Sequence, residues 1–138
     1  MTQVSEVMTH GVRTLSPQDT MQRAARTMSD LNVGALPVCD GEKLVGMVTD
    51  RDITIRAIAA GKGPDTPVRE VLSHQILYCF EDQELAHVAK TMGVAKIRRL
   101  PVLSRDKRLV GMLSLADVAR HDAETASAAL ADICRRGG

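Results

Sequence analysis

The sequence predicts an α/β fold built from two copies of one strand–helix–strand–strand–helix unit. Three observations carry this expectation. The stretch Gly34–Asp52 (GALPVCDGEKLVGMVTDRD) is written again as Arg98–Asp117 (RRLPVLSRDKRLVGMLSLAD). Within it, Leu36-Pro37-Val38 returns as Leu100-Pro101-Val102 and Leu44-Val45-Gly46-Met47 as Leu109-Val110-Gly111-Met112, with the turn one residue longer in the second copy. Upstream, VSEVM at Val4–Met8 has its counterpart in VREVL at Val68–Leu72. A repeat with a period of about 64 residues in a short chain means two copies of one supersecondary unit.

Each copy opens on a short helix or turn, Thr2–Met8 in the first, followed by an extended piece, Gly11–Leu15. Ser16-Pro17-Gln18-Asp19 reads as a helix start, with Ser16 at the N-cap, Pro17 at the first helical position and an acid in the first turn. Met21, Ala24, Ala25, Met28 and Leu31 fall at helical spacing and form its apolar face, and Asn32-Val33-Gly34 ends it. Strands at Ala35–Val38 and Leu44–Thr49 follow, joined by a Cys39–Glu42 turn in which Asp40-Gly41 is a hairpin signal. A helix over Asp50–Ala60 closes the copy, and Gly61-Lys62-Gly63-Pro64 is a linker.

The second copy starts at Thr66-Pro67, another cap-plus-proline pair, and continues through an extended piece at Gln75–Phe80. Its helix is Glu84–Val94, with Leu85, Val88, Ala89 and Met92 on one face. Strands at Leu100–Leu103 and Leu109–Ser114 come next, then a helix from Leu115. The expected organisation is repeat 1 over 1–63, repeat 2 over 64–122 and a helical tail over 123–138, with Leu130 and Ile133 on one side of the tail.

Composition narrows the function. One Tyr, one Phe and no Trp leave a core of Leu, Val, Ile, Ala and Met, and no aromatic platform for single-stranded nucleic acid. A net charge of +1 draws in neither DNA nor an anionic membrane. No apolar run approaches the ~18 residues of a membrane span and no leader is visible. Three widely spaced cysteines, Cys39, Cys79 and Cys134, suit reduced thiols. The expectation is a soluble cytoplasmic protein.

Candidate chemistry gathers at the strand-to-helix junctions. Thr49-x-x-Asp52 and Ser114-x-x-Asp117 occupy matching positions. One reading is helix capping, a hydroxyl at the N-cap with an acid three residues on. The other is ligand binding, with hydroxyl and carboxylate accepting hydrogen bonds from a ribose diol while the helix N-terminus faces phosphate. Both can hold together. Arg51 lies inside the first junction and Arg56 one turn on, while Lys96, Arg98 and Arg99 precede the second Leu-Pro, where the first copy has Gly34 and Ala35. Planar guanidinium groups suit phosphate oxygens. His10, His74, His87 and His121 show no metal-ligand spacing, and no P-loop or GxGxxG is present. No nucleophile, acid/base pair or metal cluster supports catalysis, so no enzyme is expected.

The paired LPV–turn–LVGM(V/L)–(T/S)xxD units resemble the tandem cystathionine-β-synthase (CBS) domain pair, over Val4–His121. TDRDITIRAIAAG and KIRRLPV are especially similar to small stand-alone bacterial members, including the hypoxic-response type. The resemblance implies two β-α-β-β-α CBS repeats packed with pseudo-two-fold symmetry, two clefts for adenosine-type ligands, and a homodimer. It implies that Asp52 and Asp117 hold ribose hydroxyls with Thr49 and Ser114 beside them, and that Arg51, Arg98 and Arg99 hold phosphate. Thr14, Ala35 and Leu36, with Tyr78, Arg99 and Leu100 in the second copy, fall where adenine is held. No basic residue stands directly beside Asp117, where Leu115 and Ala116 lie.

The resulting expectation is a regulatory nucleotide sensor that requires no cofactor. AMP, ADP or ATP is the first choice of regulatory ligand, and NAD(H) or S-adenosylmethionine the next. The ligand state would be relayed to a protein target, with neither nucleic acid nor membrane as partner. The competing readings are a ligand-independent structural or dimerisation module, in which the junctions are caps only, and a small redox or metal protein using the three cysteines.

Overall fold

A computed structural model of the chain describes residues 1–74 and 76–135. The chain divides into two compact units: Arg13–Ile76, and Met1–Val12 together with the chain from Leu77 onward. The units are offset from the sequence repeats. The opening segment of each copy packs in the unit that carries the strands of the other copy.

In the unit Arg13–Ile76 the first helix, α1, is Met21–Leu31. It begins later than the Ser-Pro pair predicts. Ser16–Asp19 instead closes a turn, with the Asp19 N–H donating to the Ser16 carbonyl (3.0 Å) and the Ser16 N–H to Asp19 Oδ2 (2.8 Å). Thr20 is the N-cap, its hydroxyl accepting from the Arg23 N–H at 3.1 Å. Pro17 has no N–H and suits the turn as well as it suits a first helical position, which is why local chemistry could not choose between them. Met21, Ala24 and Met28 are buried, whereas Ala25 and Leu31 face outward, so the apolar stripe is narrower than the spacing predicts. Asn32 ends the helix in the left-handed conformation (φ 54°), which a short polar side chain tolerates.

Strands β1 (Ala35–Asp40) and β2 (Lys43–Thr49) pair antiparallel, Ala35 opposite Thr49 and Leu36 opposite Val48, around a turn at Gly41 (φ 63°). The strands extend further than predicted into the Cys39–Glu42 stretch. The extended piece ending at Leu15 contributes a single parallel bridge to Val38. Asp52–Ile58 is wound as a π-helix, seen in the Ala59 N–H to Thr54 carbonyl bond at 3.0 Å. Its run Ile53-Thr54-Ile55 is β-branched throughout, which crowds an α-helix. A 3₁₀ turn at Val68–Glu70 follows, with Pro67 and not Thr66 in the cap position. Val68, Val71 and Leu72 enter the core with Leu15, Met21, Leu36, Val38, Val48 and Ala57.

The other unit repeats this plan. β3 (Cys79–Phe80) pairs parallel with β4 (Arg99–Leu103), which pairs antiparallel with β5 (Leu109–Ser114). The predicted extended piece shortens to two residues, and Gln75 lies outside the described residues. Helix α2 (Leu85–Ala95) buries Leu85, Val88, Ala89 and Met92. Helix α3 (Leu115–His121) is a regular α-helix, in keeping with its lack of a β-branched run. Helix α4 (Ala123–Cys134) packs against α2 through Ala126 and Ala129, with Leu130 turned outward. The 3₁₀ turn Val4–Glu6 supplies Val4, wholly buried among Leu85, Val88, Met92 and Leu113.

Asp122 caps α4, its carboxylate accepting from the Glu124 N–H (3.1 Å), the Thr125 N–H (3.2 Å) and the Thr125 hydroxyl (2.8 Å). The Thr125 hydroxyl, more than any other group, holds the Asp122 carboxyl below the usual range. A depressed folded-state value stabilises α4 above the unfolded value of ~4 and loses that support as pH falls through the folded one. Helical circular dichroism should therefore decline on acidification below about pH 4, and Asp122→Asn should flatten the part of the titration that belongs to α4.

Candidate functional site

The two strand-to-helix junctions are built alike, each inside its own unit. At the first, the Thr49 N–H donates to Asp52 Oδ2 at 2.9 Å and the Asp52 N–H donates to Thr49 Oγ1 at 3.0 Å. At the second, the Ser114 N–H donates to Asp117 Oδ2 and the Asp117 N–H to Ser114 Oγ, both at 3.0 Å. Each pair is a reciprocal capping box, so the capping reading of both motifs holds in the geometry. A box of this kind also fixes a carboxylate at the end of a strand, beside the free N–H groups of a helix start.

The sheet register brings further predicted residues to these points. Ala35 sits opposite Thr49, and Arg99 opposite Ser114, so each pair projects on the same face of its sheet. The Asp50 N–H donates to the Gly34 carbonyl (3.0 Å), and the equivalent Leu115 N–H to the Arg98 carbonyl (2.8 Å). Arg51, Arg98 and Arg99 are exposed, with no side-chain hydrogen bond or ion pair among the described residues. Thr14 precedes Leu15 beside β1, and Tyr78 precedes Cys79 beside β4, in the same relation to the two junctions. Both are exposed. Tyr78 meets Phe80 edge to face at 5.7 Å between ring centroids. Leu36 and Leu100 differ from the rest. Their side chains are sealed in the two cores, which leaves only their backbone for a ligand.

Three residues that sequence reasoning did not single out complete the picture. Thr9 Oγ1 donates to both oxygens of Asp117 at 3.3 Å, and the Arg120 guanidinium pairs with Asp117 Oδ1. Asp50 adds an acid to the first junction. Thr9 and Ser73 hold matching places just past the VSEVM/VREVL pair, but no signal in the sequence ties either hydroxyl to a carboxylate. Arg120 falls at the i+3 position from Asp117, a spacing that supports pairing on a helix.

The charge balance of the two junctions differs. The first junction carries Asp50 and Asp52 with Arg51 and Arg56, a neutral set, whereas the second carries Asp117 with Arg120 and with Arg98 and Arg99 on the paired strand. The second junction is therefore the more attractive to an anion. The carboxylates differ the other way. Arg56 Nε lies 3.7 Å from Asp52 Oδ1, beyond hydrogen-bond reach, while Asp117 is engaged at both oxygens.

Among the described residues no group of three or more His, Cys, Asp or Glu is placed to hold a metal ion. Burial pushes the Cys79 thiol up to about 12 and raises that of Cys39, so neither is thiolate near neutrality, while Cys134 is exposed. A thiol-exchange reagent at pH 8 should modify Cys134 rapidly and the other two only on unfolding. Rapid reaction of all three would contradict the packing of Cys39 and Cys79. No helix of the described residues is long and apolar enough to cross a membrane.

Two α/β units, each carrying a capped carboxylate between a buried strand and a helix start, define a duplicated module. The profile of the CBS domain matches residues 4–57 and 68–124, and the chain belongs to the CBS domain family. It is 40% identical over 135 residues to the CBS domain-containing protein YhcV of Bacillus subtilis, covering 96% of both chains. It is 38% identical over 123 residues to hypoxic response protein 1 of Mycobacterium tuberculosis, covering 88% of this chain and 85% of that protein. Among solved structures, hypoxic response protein I with two coordinated zinc ions matches with a TM-score of 0.79 at 38% identity, over 87% of this chain and 98% of that one. The protein CBSX2 in complex with AMP matches with a TM-score of 0.79 at 25% identity, over 90% and 98%. The CBS domain pair of MJ0100 with 5′-methylthioadenosine and S-adenosylmethionine gives 0.77 at 26%, again over 90% and 98%.

Proposed function

We propose that this protein is a regulatory sensor of adenosine-containing nucleotides, with AMP, ADP or ATP as the leading ligands and NAD(H) or S-adenosylmethionine next. The observation that carries the reading is Asp52. Its Oδ2 is held by the Thr49 N–H, and its Oδ1 accepts no hydrogen bond among the described residues. That oxygen has lone pairs to offer a ribose diol, with Arg51 adjacent and a helix start at hand for phosphate. At the second junction Arg98 and Arg99 supply the phosphate-seeking charge and Tyr78 an exposed ring for adenine. The complexes of CBSX2 with AMP and of MJ0100 with two adenosine derivatives support an adenosine ligand here.

The sensor needs no cofactor and catalyses no reaction. It works as a homodimer whose ligand state a protein target reads, and the shift it transmits is limited by the ligand's differential affinity for the two states. The two coordinated zinc ions are those of hypoxic response protein I; among the described residues here no group of three or more His, Cys, Asp or Glu is placed to hold a metal ion. A structural module is the second reading, favoured by one observation: both hydroxyl–carboxylate pairs are already complete as caps.

Thermal unfolding against AMP, ADP, ATP, NAD, NADH and S-adenosylmethionine separates the two. A ligand at about 100 times its Kd should stabilise the fold by ~2.7 kcal/mol and raise Tm visibly. No shift with any of the six at millimolar concentration would favour the structural module.

A further inference from the structure

The two carboxylates at the junctions are equivalent in sequence and unequal in engagement. Asp52 gives one oxygen to its cap, and its other oxygen accepts no hydrogen bond among the described residues, Arg56 Nε standing 3.7 Å from it as an ion-pair partner. Asp117 is 3% exposed and receives the Ser114 N–H, the Thr9 hydroxyl on both oxygens, and the Arg120 guanidinium. A ribose hydroxyl reaching Asp117 must compete with these donors for a carboxylate that is almost wholly buried. The cap bond belongs to the helix and stays. Thr9 and Arg120 are the donors that can leave: the Thr9 bonds are long at 3.3 Å, and the Arg120 side chain is 70% exposed.

We infer that Thr9 and Arg120 form an internal latch on Asp117, so that the second junction binds its nucleotide after, and more weakly than, the first. This rests on the nucleotide reading above and assigns regulation to that same site. Thr9 is positioned for the task by the backbone. Its N–H donates to the Met112 carbonyl (2.8 Å) and its carbonyl accepts from the Met112 N–H (3.0 Å), fastening the N-terminal segment to β5. In the first unit Ser73 makes the same two backbone bonds to Met47, yet its hydroxyl makes no bond to Asp52. The latch is therefore a side-chain feature laid over a common scaffold. The exposed Arg98 and Arg99 give a phosphate-bearing ligand the means to compete with it.

The test is a residue-resolved NMR titration of the whole chain with AMP, reading the amides of Thr49 and Asp52 for one junction and those of Ser114 and Asp117 for the other. In the unmodified protein the first pair should move at lower AMP concentration than the second. In Arg120→Leu, and further in Thr9→Val with Arg120→Leu, the midpoint of the second pair should fall about tenfold, as expected for releasing a hydrogen-bonded charge, with the first unchanged. Arg120→Leu alone changes an exposed side chain and guards against a folding defect in the double variant. Equal midpoints in the unmodified protein, or a second midpoint that rises or stays put in the variants, would overturn the latch while leaving nucleotide binding intact. No movement of either pair would overturn the nucleotide reading and the latch with it.

Discussion

Gly111→Ala is expected to destabilise the protein by about 3 kcal/mol, a fall in Tm of roughly 10 °C. A Cβ at this position would stand 2.7 Å from the Thr9 carbonyl and 2.8 Å from Met8 Sδ. Gly46→Ala should behave likewise, its Cβ meeting the Ser73 carbonyl and a Leu72 methyl, both at 2.5 Å. Neither glycine has a positive φ, so the requirement is room and not backbone freedom. In each case the obstructed group is backbone held by two hydrogen bonds to the next strand residue, Met112 or Met47, so it has little freedom to give. Gly63→Ala, with nothing within 4 Å, is the matched control and should leave Tm in place. Denaturant unfolding of the three variants decides the point; a neutral Gly111→Ala would mean that the Thr2–Met8 segment does not dock as described.

Asp52→Ala should abolish the nucleotide-induced rise in Tm at the first junction while itself costing about 1 kcal/mol through loss of the cap. The two effects are separable because the cap acts without ligand and the diol contact only with it. Asp52→Asn keeps a hydrogen-bond acceptor for the Thr49 N–H and loses the charge. It should therefore recover most of the stability and little of the affinity. If instead both variants retain the full ligand-induced shift, Asp52 is a cap and nothing more.

The duplication was legible because it is written in the strands themselves. LPV and LVGM recur with their hydrophobic residues in place, and the observed pairs Leu36–Val48 and Leu100–Leu113 follow from that pattern. The junction residues were legible for the same reason, since the T/SxxD spacing is local and the capping geometry obeys it. The start of α1 was less so. Ser16-Pro17 and Thr20 are both plausible caps, and the choice depends on backbone bonds from Met21 and Gln22 to Thr66 and Pro64, far away in sequence. The offset between repeat and packing unit was illegible in principle. VSEVM and VREVL match each other, and nothing local says that each serves the other copy's sheet. Thr9 belongs to that hidden part. Its approach to Asp117 spans most of the chain, and only the fold brings hydroxyl and carboxylate together.

The central claim, that a nucleotide is bound through the Thr49–Asp52 junction, is tested most directly by a crystal structure of the protein grown with AMP. The expected result places the ribose hydroxyls within hydrogen-bond distance of Asp52 Oδ1, with the phosphate toward Arg51 and the helix start. AMP absent from the crystals at millimolar concentration, or bound away from both carboxylates, would contradict it.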